Sequence, residues 1–362
     1  MGLIFGRKKR RSRNTSISSN VPLLRFFGPA FTGTGILGAI FMVFTGRIDL
    51  SSLDVLRGTL GVTEESATAD VQPVNLQIGQ KSNETIRVAT FNIQIFGKKK
   101  SSNPQVMAVL AKVISQFDVV AIQEVRGGDA TPVGALIDLL RASGAQYSAT
   151  ISEPIGRTSQ TESYAFVWDE SRIQHVPNSA YLVQDPADRM HREPMVASFE
   201  ARVGVPGAKR PFRFTLINAH TSPSEVTASA IGNEMNVLDD VFVSVRNYDY
   251  ETSGEEDCIM LGDLNVDTKG LRELGQIPGV ESIAKDIKTN TRRSKTYDHI
   301  LIDRMMTREF TGRFGVLDLQ QAFGLSEEQA IQVSDHQPLW AEFNAYEMPR
   351  FDPVATAPQT IR

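Results

Sequence analysis

Residues 258–265 read CIMLGDLN, four apolar residues running into a glycine, a carboxylate, a leucine and an amide. In an extended strand, alternate side chains share a face, so Ile259, Leu261, Asp263 and Asn265 form one stripe. A carboxylate at the end of an apolar stripe is costly to bury unless it is paired or holds a metal. Three other stretches repeat the pattern. RVATFNIQ (87–94) aligns Val88, Thr90 and Asn92; DVVAIQEV (118–125) aligns Val120, Ile122 and Glu124; RFTLINAH (213–220) aligns Leu216, Asn218 and His220. One such ending is a strand leaving the core for solvent. Four together argue for a shared polar cleft.

Around these stretches, short apolar runs alternate with amphipathic ones. Strands are predicted at Arg87–Gln94, Asp118–Val125, Tyr164–Trp168, Phe212–His220, Cys258–Asp263, Thr296–Ile302 and Pro338–Phe343. Helical spacing falls at Asn103–Gln116, Thr131–Ser143 and Val226–Val245. The interleaving predicts an α/β domain over residues 86–346 rather than a helical bundle.

Two further motifs add to the cleft. SDHQP supplies Asp335 and His336, and TYDHILID supplies Asp298 at the start of a strand. Glu124, Asp263 and Asp335 with the amides Asn92 and Asn265 make an oxygen-rich set, which suits Mg2+ or Mn2+ rather than zinc. His220 and His336 are two of only five histidines. Backed by a carboxylate, an imidazole exchanges protons near neutral pH.

The rest of the chain frames this body. Among 362 residues the net charge is −4, but six of the 38 basic residues precede residue 20 with no acid among them, leaving −10 over the other 342. Global charge therefore does not advertise a polyanion ligand. A single cysteine, Cys258, excludes an internal disulfide and a cysteine-based zinc cluster. Residues 1–25 read as a basic cytoplasmic tail. Phe26–Gly46, uncharged for 21 residues, is long enough for a membrane helix. It is read as an uncleaved signal anchor, with a cleaved and secreted form as the second choice. The basic cluster keeps the N-terminus cytoplasmic and sends the body across. Residues 47–85 are expected to be a linker, polar from residue 64 on, and 347–362 a flexible tail.

The motifs FNIQIFG, IQEVRGG, SEPIGRTSQTESY, HREPMVASF, NAHTSPSE, MLGDLNVD, KTYDHILID and VSDHQPL occur in the order seen in the endonuclease/exonuclease/phosphatase superfamily. The chain resembles its deoxyribonuclease I branch over about residues 87–343. The resemblance implies a four-layer αββα sandwich with the active site at one edge of two packed sheets. It also implies that Glu124 is the principal metal ligand, that Asn92, Asp263, Asn265 and Asp335 help hold metal and scissile phosphate, and that His220 pairs with Glu162 and His336 with Asp298. Arg126 and Arg192, with Arg157 as a weaker third, match positions that contact backbone phosphate. Calcium as a structural ion follows from some relatives. Gln160 stands where the branch has a groove-packing tyrosine. The implied activity is metal-dependent hydrolysis of DNA. A phosphatase acting on phospholipid or inositol phosphate is the alternative, and a catalytically inactive binding module comes third.

Overall fold

The computed structural model describes residues 78–349 apart from 128–130, 160, 204–206 and 208, all within one compact unit of the chain. The basic tail, the Phe26–Gly46 span, the linker up to residue 77, Gln160 and nearly all of the C-terminal tail lie outside these residues. Among the described residues, no helix is long and apolar enough to cross a membrane.

One sheet is built from β1 (Thr85–Phe96), β2 (Val119–Val125), β3 (Tyr147–Ile151), β4 (Ser163–Asp169), β12 (Phe310–Val316) and β13 (Leu339–Asn344). Their order is β12-β13-β1-β2-β4-β3. The other sheet comprises β5 (Ile173–His175), β6 (Tyr181–Leu182), β7 (Met195–Ala201), β8 (Arg213–His220), β9 (Cys258–Asp263), β10 (Val280–Ser282) and β11 (Asp298–Asp303). It runs β10-β11-β9-β8-β7-β5, with β6 also paired to β7. Only β1–β2 and β8–β9 are parallel, and both pairs end at the site described below.

Alternation along the strands makes the layers. Val88, Ala121, Phe166, Phe199, Leu216, Ile259 and Leu261 pack between the sheets. Their neighbours Phe91, Val120 and Ile122 face outward under α1 (Pro104–Ile114) and α2 (Thr131–Ala142). On the other side Ile217 and Met260 lie under α3 (Met235–Ser253). Each large side chain buried this way is worth ~1.5–3 kcal/mol. The result is helices, sheet, sheet and helix.

The local chemistry explains the boundaries. Asn103 caps α1 by accepting from the Gln105 and Val106 amides, and Pro104 fills the first helical position. The helix expected from Val226 instead begins at Met235. Residues before it form turns: Gly232 has φ 69°, Ala230 N–H donates to Thr227 O, and the Asn233 side chain accepts from Met235 N–H. The same helix runs on to Ser253 and stops at Gly254, φ 72°. The linker is fastened before β1 begins. Lys81 Nζ donates to Phe117 O at 2.8 Å and lies 3.0 Å from Asp118, while Arg172 donates to the carbonyls of Ser82 and Thr85.

Candidate active site

Sheet register does most of the assembly. In the second sheet His220 on β8 lies beside Asp263 on β9, which lies beside Asp298 on β11. The glycine before Asp263 is what lets β9 approach. At Gly262, φ 148°, an added Cβ would fall 1.8 Å from Ala219 O.

Asp263 is the hub. Its Oδ2 accepts from Asn92 Nδ2 at 3.0 Å and lies 3.6 Å from His220 Nε2 and 3.4 Å from His336 Nε2. Its Oδ1 accepts from Asn265 N–H at 3.0 Å, and Asn265 Nδ2 donates to Thr221 O. Each histidine uses its other nitrogen on a carboxylate: His220 Nδ1 to Glu162 at 2.6 Å, His336 Nδ1 to Asp298 at 2.8 Å. All five of these ionisable side chains are buried.

Electrostatics follows the geometry. Burial pushes the Glu162 carboxyl upward, but hydrogen-bonded His220, then Arg192 and Arg126, bring it below its ordinary range. Burial opposes charge on His336, yet Asp298 and Asp263 outweigh it and hold the imidazole well above its usual pKa. Burial leaves Asp263 raised, against the pull of His336 and His220.

Glu124 reaches the cleft by a route that strand alternation does not predict. Val120 and Ile122, expected on its face, point outward under the helices. The register shifts between Ile122 and Val125 and between Asn92 and Phe96, and Glu124 and Ile95 take φ of 62° and 49°. Left-handed backbone in such residues is uncommon and strained, and here it turns the carboxylate inward. Glu124 then accepts from Asn92 Nδ2 at 3.0 Å and from Ile95 N–H at 2.9 Å.

Beside it, Asn92 Oδ1 is buried with no hydrogen-bond partner. Asp335, half-buried, and Glu124 both act on Lys100, which burial pushes down to about 8 against their pull. An orphaned amide oxygen among carboxylates is a donor set that fits a hard divalent cation. Asp263, Asp298 and His336 also bring ligand atoms within 4.8 Å of one another, but the His336–Asp298 pair already occupies two of them. The acidic residues here could form a metal site.

A family model described as Endonuclease/Exonuclease/phosphatase family matches residues 89–336, and so spans every residue of this cluster. The chain belongs to that family. Human Deoxyribonuclease-1 is 29% identical over 272 residues, covering 70% of this chain and 91% of that protein. The pig (Sus scrofa) Deoxyribonuclease-1 is 30% identical over 275 residues, covering 70% and 90%. Among solved structures, the human Nocturnin catalytic domain with bound sulfate aligns with a TM-score of 0.50 at 15% identity, over 73% of this chain and 95% of that one. That likeness concerns the fold alone.

In this family member the three arginines part ways. Arg126 lies 3.2 Å from Glu162 and 3.7 Å from Glu124. Arg192 lies 3.3 Å from Glu162 and donates to the carbonyls of His220 and Thr221. Both turn into the site. Arg157 instead pairs with Asp188 and Glu225, at 2.8 Å each, and with neither Glu162 nor Glu124.

Sequence reading missed several supports. Tyr164 Oη accepts from His220 N–H at 2.9 Å. Ser334 Oγ donates to Asn92 O and accepts from His336 N–H, tying the two backbones together. Gln123 Nε2 donates to Asn218 Oδ1 at 2.6 Å, a polar link between the sheets just behind the site. The only available signal was adjacency: Tyr164 follows Glu162 in TESY, Ser334 precedes Asp335 in SDH, and Gln123 precedes Glu124.

Proposed function

We propose that this chain is a divalent-metal-dependent phosphodiesterase that cuts DNA internally by directing water at phosphorus. The observation that carries the reading is the pair of buried histidines, each backed by a carboxylate at Nδ1 and each turning Nε2 toward Asp263. DNA is favoured as substrate by the Deoxyribonuclease-1 relatives, about nine-tenths of whose length the chain covers.

In this reading one histidine takes the proton from attacking water and the other delivers a proton to the leaving oxygen. Glu162 and Asp298 fix the ring orientation and keep the proton on Nδ1, leaving Nε2 for the reaction. The Asn92 and Asn265 amides help hold the scissile phosphate between the rings, where Asp263 faces both Nε2 atoms. Mg2+ or Mn2+ held by Glu124, Asn92 and Asp335, with Asp263 and Asn265 alongside, would supply Lewis-acid stabilisation of charge on the phosphoryl oxygens. Arg126, with 22% of its side chain exposed against 8% for Arg192, is the arginine placed to meet backbone phosphate. Arg192 holds Glu162 and the backbone of His220 in place.

The test is digestion of supercoiled plasmid, RNA and phospholipid head-group substrates by the purified chain, with Mg2+ and with EDTA. Plasmid nicking that needs the metal is the expected result. Preferential turnover of a lipid phosphate would replace DNA as the substrate; undiminished cleavage in EDTA would remove the metal.

We also propose that Phe26–Gly46 anchors the enzyme in a membrane with its N-terminus cytoplasmic and its body outside. Protease added to intact cells should digest the body. Full protection until lysis would reverse that orientation.

A further inference from the structure

A second cluster of acids lies at the opposite end of the strands. Asp257 immediately precedes β9, whose far end is Asp263, so the two are six residues, or about 20 Å, apart. Around it gather Glu255, Glu309 from the residue before β12, and Glu347 from just beyond β13. Glu309 and Glu347 flank strands of one sheet, and Glu255 and Asp257 lead into a strand of the other.

The cluster is both tight and unsatisfied. Glu255, Asp257 and Glu347 bring carboxylate oxygens within 4.8 Å of one another. Independently, Glu309 is 2% exposed and Asp257 4%, and Glu309 Oε2 and Asp257 Oδ1 are buried without a hydrogen-bond partner. Glu309 Oε1 is held by Met348 N–H at 2.7 Å, next to Glu347, and Glu309 is the charged group acting most strongly on Asp257. Within the cluster the Asp257 carboxyl hydrogen-bonds the Glu255 side chain, and the other bonds come from neutral amides: Arg213 N–H to Glu347, and the 256 and 257 N–H groups to Glu255. Among the described residues, no lysine or arginine forms an ion pair with any of the four; Arg213 and Arg210 act on Glu255 and Glu347 from farther away. Burial, and then Glu309, Glu255 and Glu347, push the Asp257 carboxyl up to about 10.

We infer that Glu255, Asp257, Glu309 and Glu347 form a Ca2+ site that staples the two sheets together at the end remote from the histidines. Buried carboxylates without a paired cation are costly, and a bound cation removes that cost. The donors are oxygens only, which selects a hard ion. A cage made of protein carboxylates suits Ca2+, whereas Mg2+ keeps most of its waters and takes one or two carboxylates. This site shares no residue with the Glu124 cluster.

Thermal unfolding of the full chain in detergent, stripped with EDTA and then given Ca2+ or Mg2+, tests the inference. Ca2+ at a hundredfold excess over Kd should raise Tm by roughly 5 °C or more, and Mg2+ by much less. Glu124→Gln should keep that shift, which separates it from the proposed catalytic metal. Asp257→Asn and Glu309→Gln should abolish it. Asp257→Asn should still fold, and in EDTA should melt close to wild type, because without metal burial already holds the Asp257 carboxyl neutral. No Ca2+ shift, an equal Mg2+ shift, a full shift in Asp257→Asn, or its loss in Glu124→Gln would each overturn the Ca2+ site.

Discussion

The two histidine–carboxylate pairs look alike, yet they are supported differently. Glu162 faces His220 at 2.6 Å and two arginines, Arg126 at 3.2 Å and Arg192 at 3.3 Å. Among the described residues, Asp298 pairs with His336, at 2.8 Å, and with no arginine or lysine, and its Oδ1 has no hydrogen-bond partner. An arginine keeps its charge under all ordinary conditions, whereas a histidine can shed a proton. Glu162 is therefore a structural counter-ion as well as a partner of His220. The Asp298–His336 pair is free to exist charged or neutral. Similar geometry on the two sides of Asp263 thus conceals one carboxylate held by permanent arginine charges and one that relies on its histidine.

The largest expected effect does not distinguish the pairs. His220→Ala and His336→Ala should each lower kcat by ~10²–10⁴-fold or more, since in the proposed mechanism each is a proton-transfer group in one displacement. The double variant should be little worse than either single, because the two act as a unit. Additive losses, measured by steady-state plasmid cleavage, would separate the histidines into independent roles.

Stability separates them next. Glu162→Gln strands the buried Arg192 charge and removes one of the partners of Arg126, which should cost about 3–5 kcal/mol by denaturant unfolding in EDTA. That penalty should not change between pH 6 and pH 9. Asp298→Asn should cost less, because His336 can neutralise itself. Its penalty should also depend on pH, in a direction set by the raised pKa of His336. The pair's stabilisation is fully present below the unfolded histidine value, about 6.5. It is lost as pH rises through the higher folded value. The Asp298→Asn deficit should therefore be largest at pH 6 and shrink toward pH 9. Equal, pH-independent deficits for both variants would erase the distinction.

Arg157→Ala gives the smallest effect. Its partners are 73% and 28% exposed in their side chains, and such surface pairs contribute ~0–1 kcal/mol. Activity should stay within about twofold of wild type. Arg126→Ala, by contrast, should weaken DNA binding and flatten its salt dependence by roughly one phosphate contact.

How far the sequence could be read follows from what each element depends on. Cys258–Asp263 was legible to the residue, because apolar alternation and a turn glycine act within one strand. So were the residues that meet at the cleft, since His220, Asp263 and Asp298 fall in one row once the sheet forms. The orientation of Glu124 was not legible. Alternation alone assigns it the face of Ile122, and only the bulge with φ 62° sends it to the other. The strand Met195–Ala201 went unassigned because the REP triplet before it reads as a loop. The start of α3 was misplaced by nine residues because Ile231 stands at helical spacing from Met235 and Leu238, although it is fully exposed in a turn. Ser334 and Tyr164 support the site through backbone contacts made across the fold, which no local pattern encodes.

In the proposed mechanism, two histidines converging on Asp263 carry metal-dependent cleavage of a phosphodiester. The most direct measurement is kcat for supercoiled plasmid with saturating Mg2+, comparing wild type with His336→Ala of unchanged Tm. A fall of at least ~10²-fold, with wild-type activity abolished by EDTA, is the result this arrangement predicts. Near-wild-type turnover by His336→Ala, or cleavage that persists in EDTA, would contradict it.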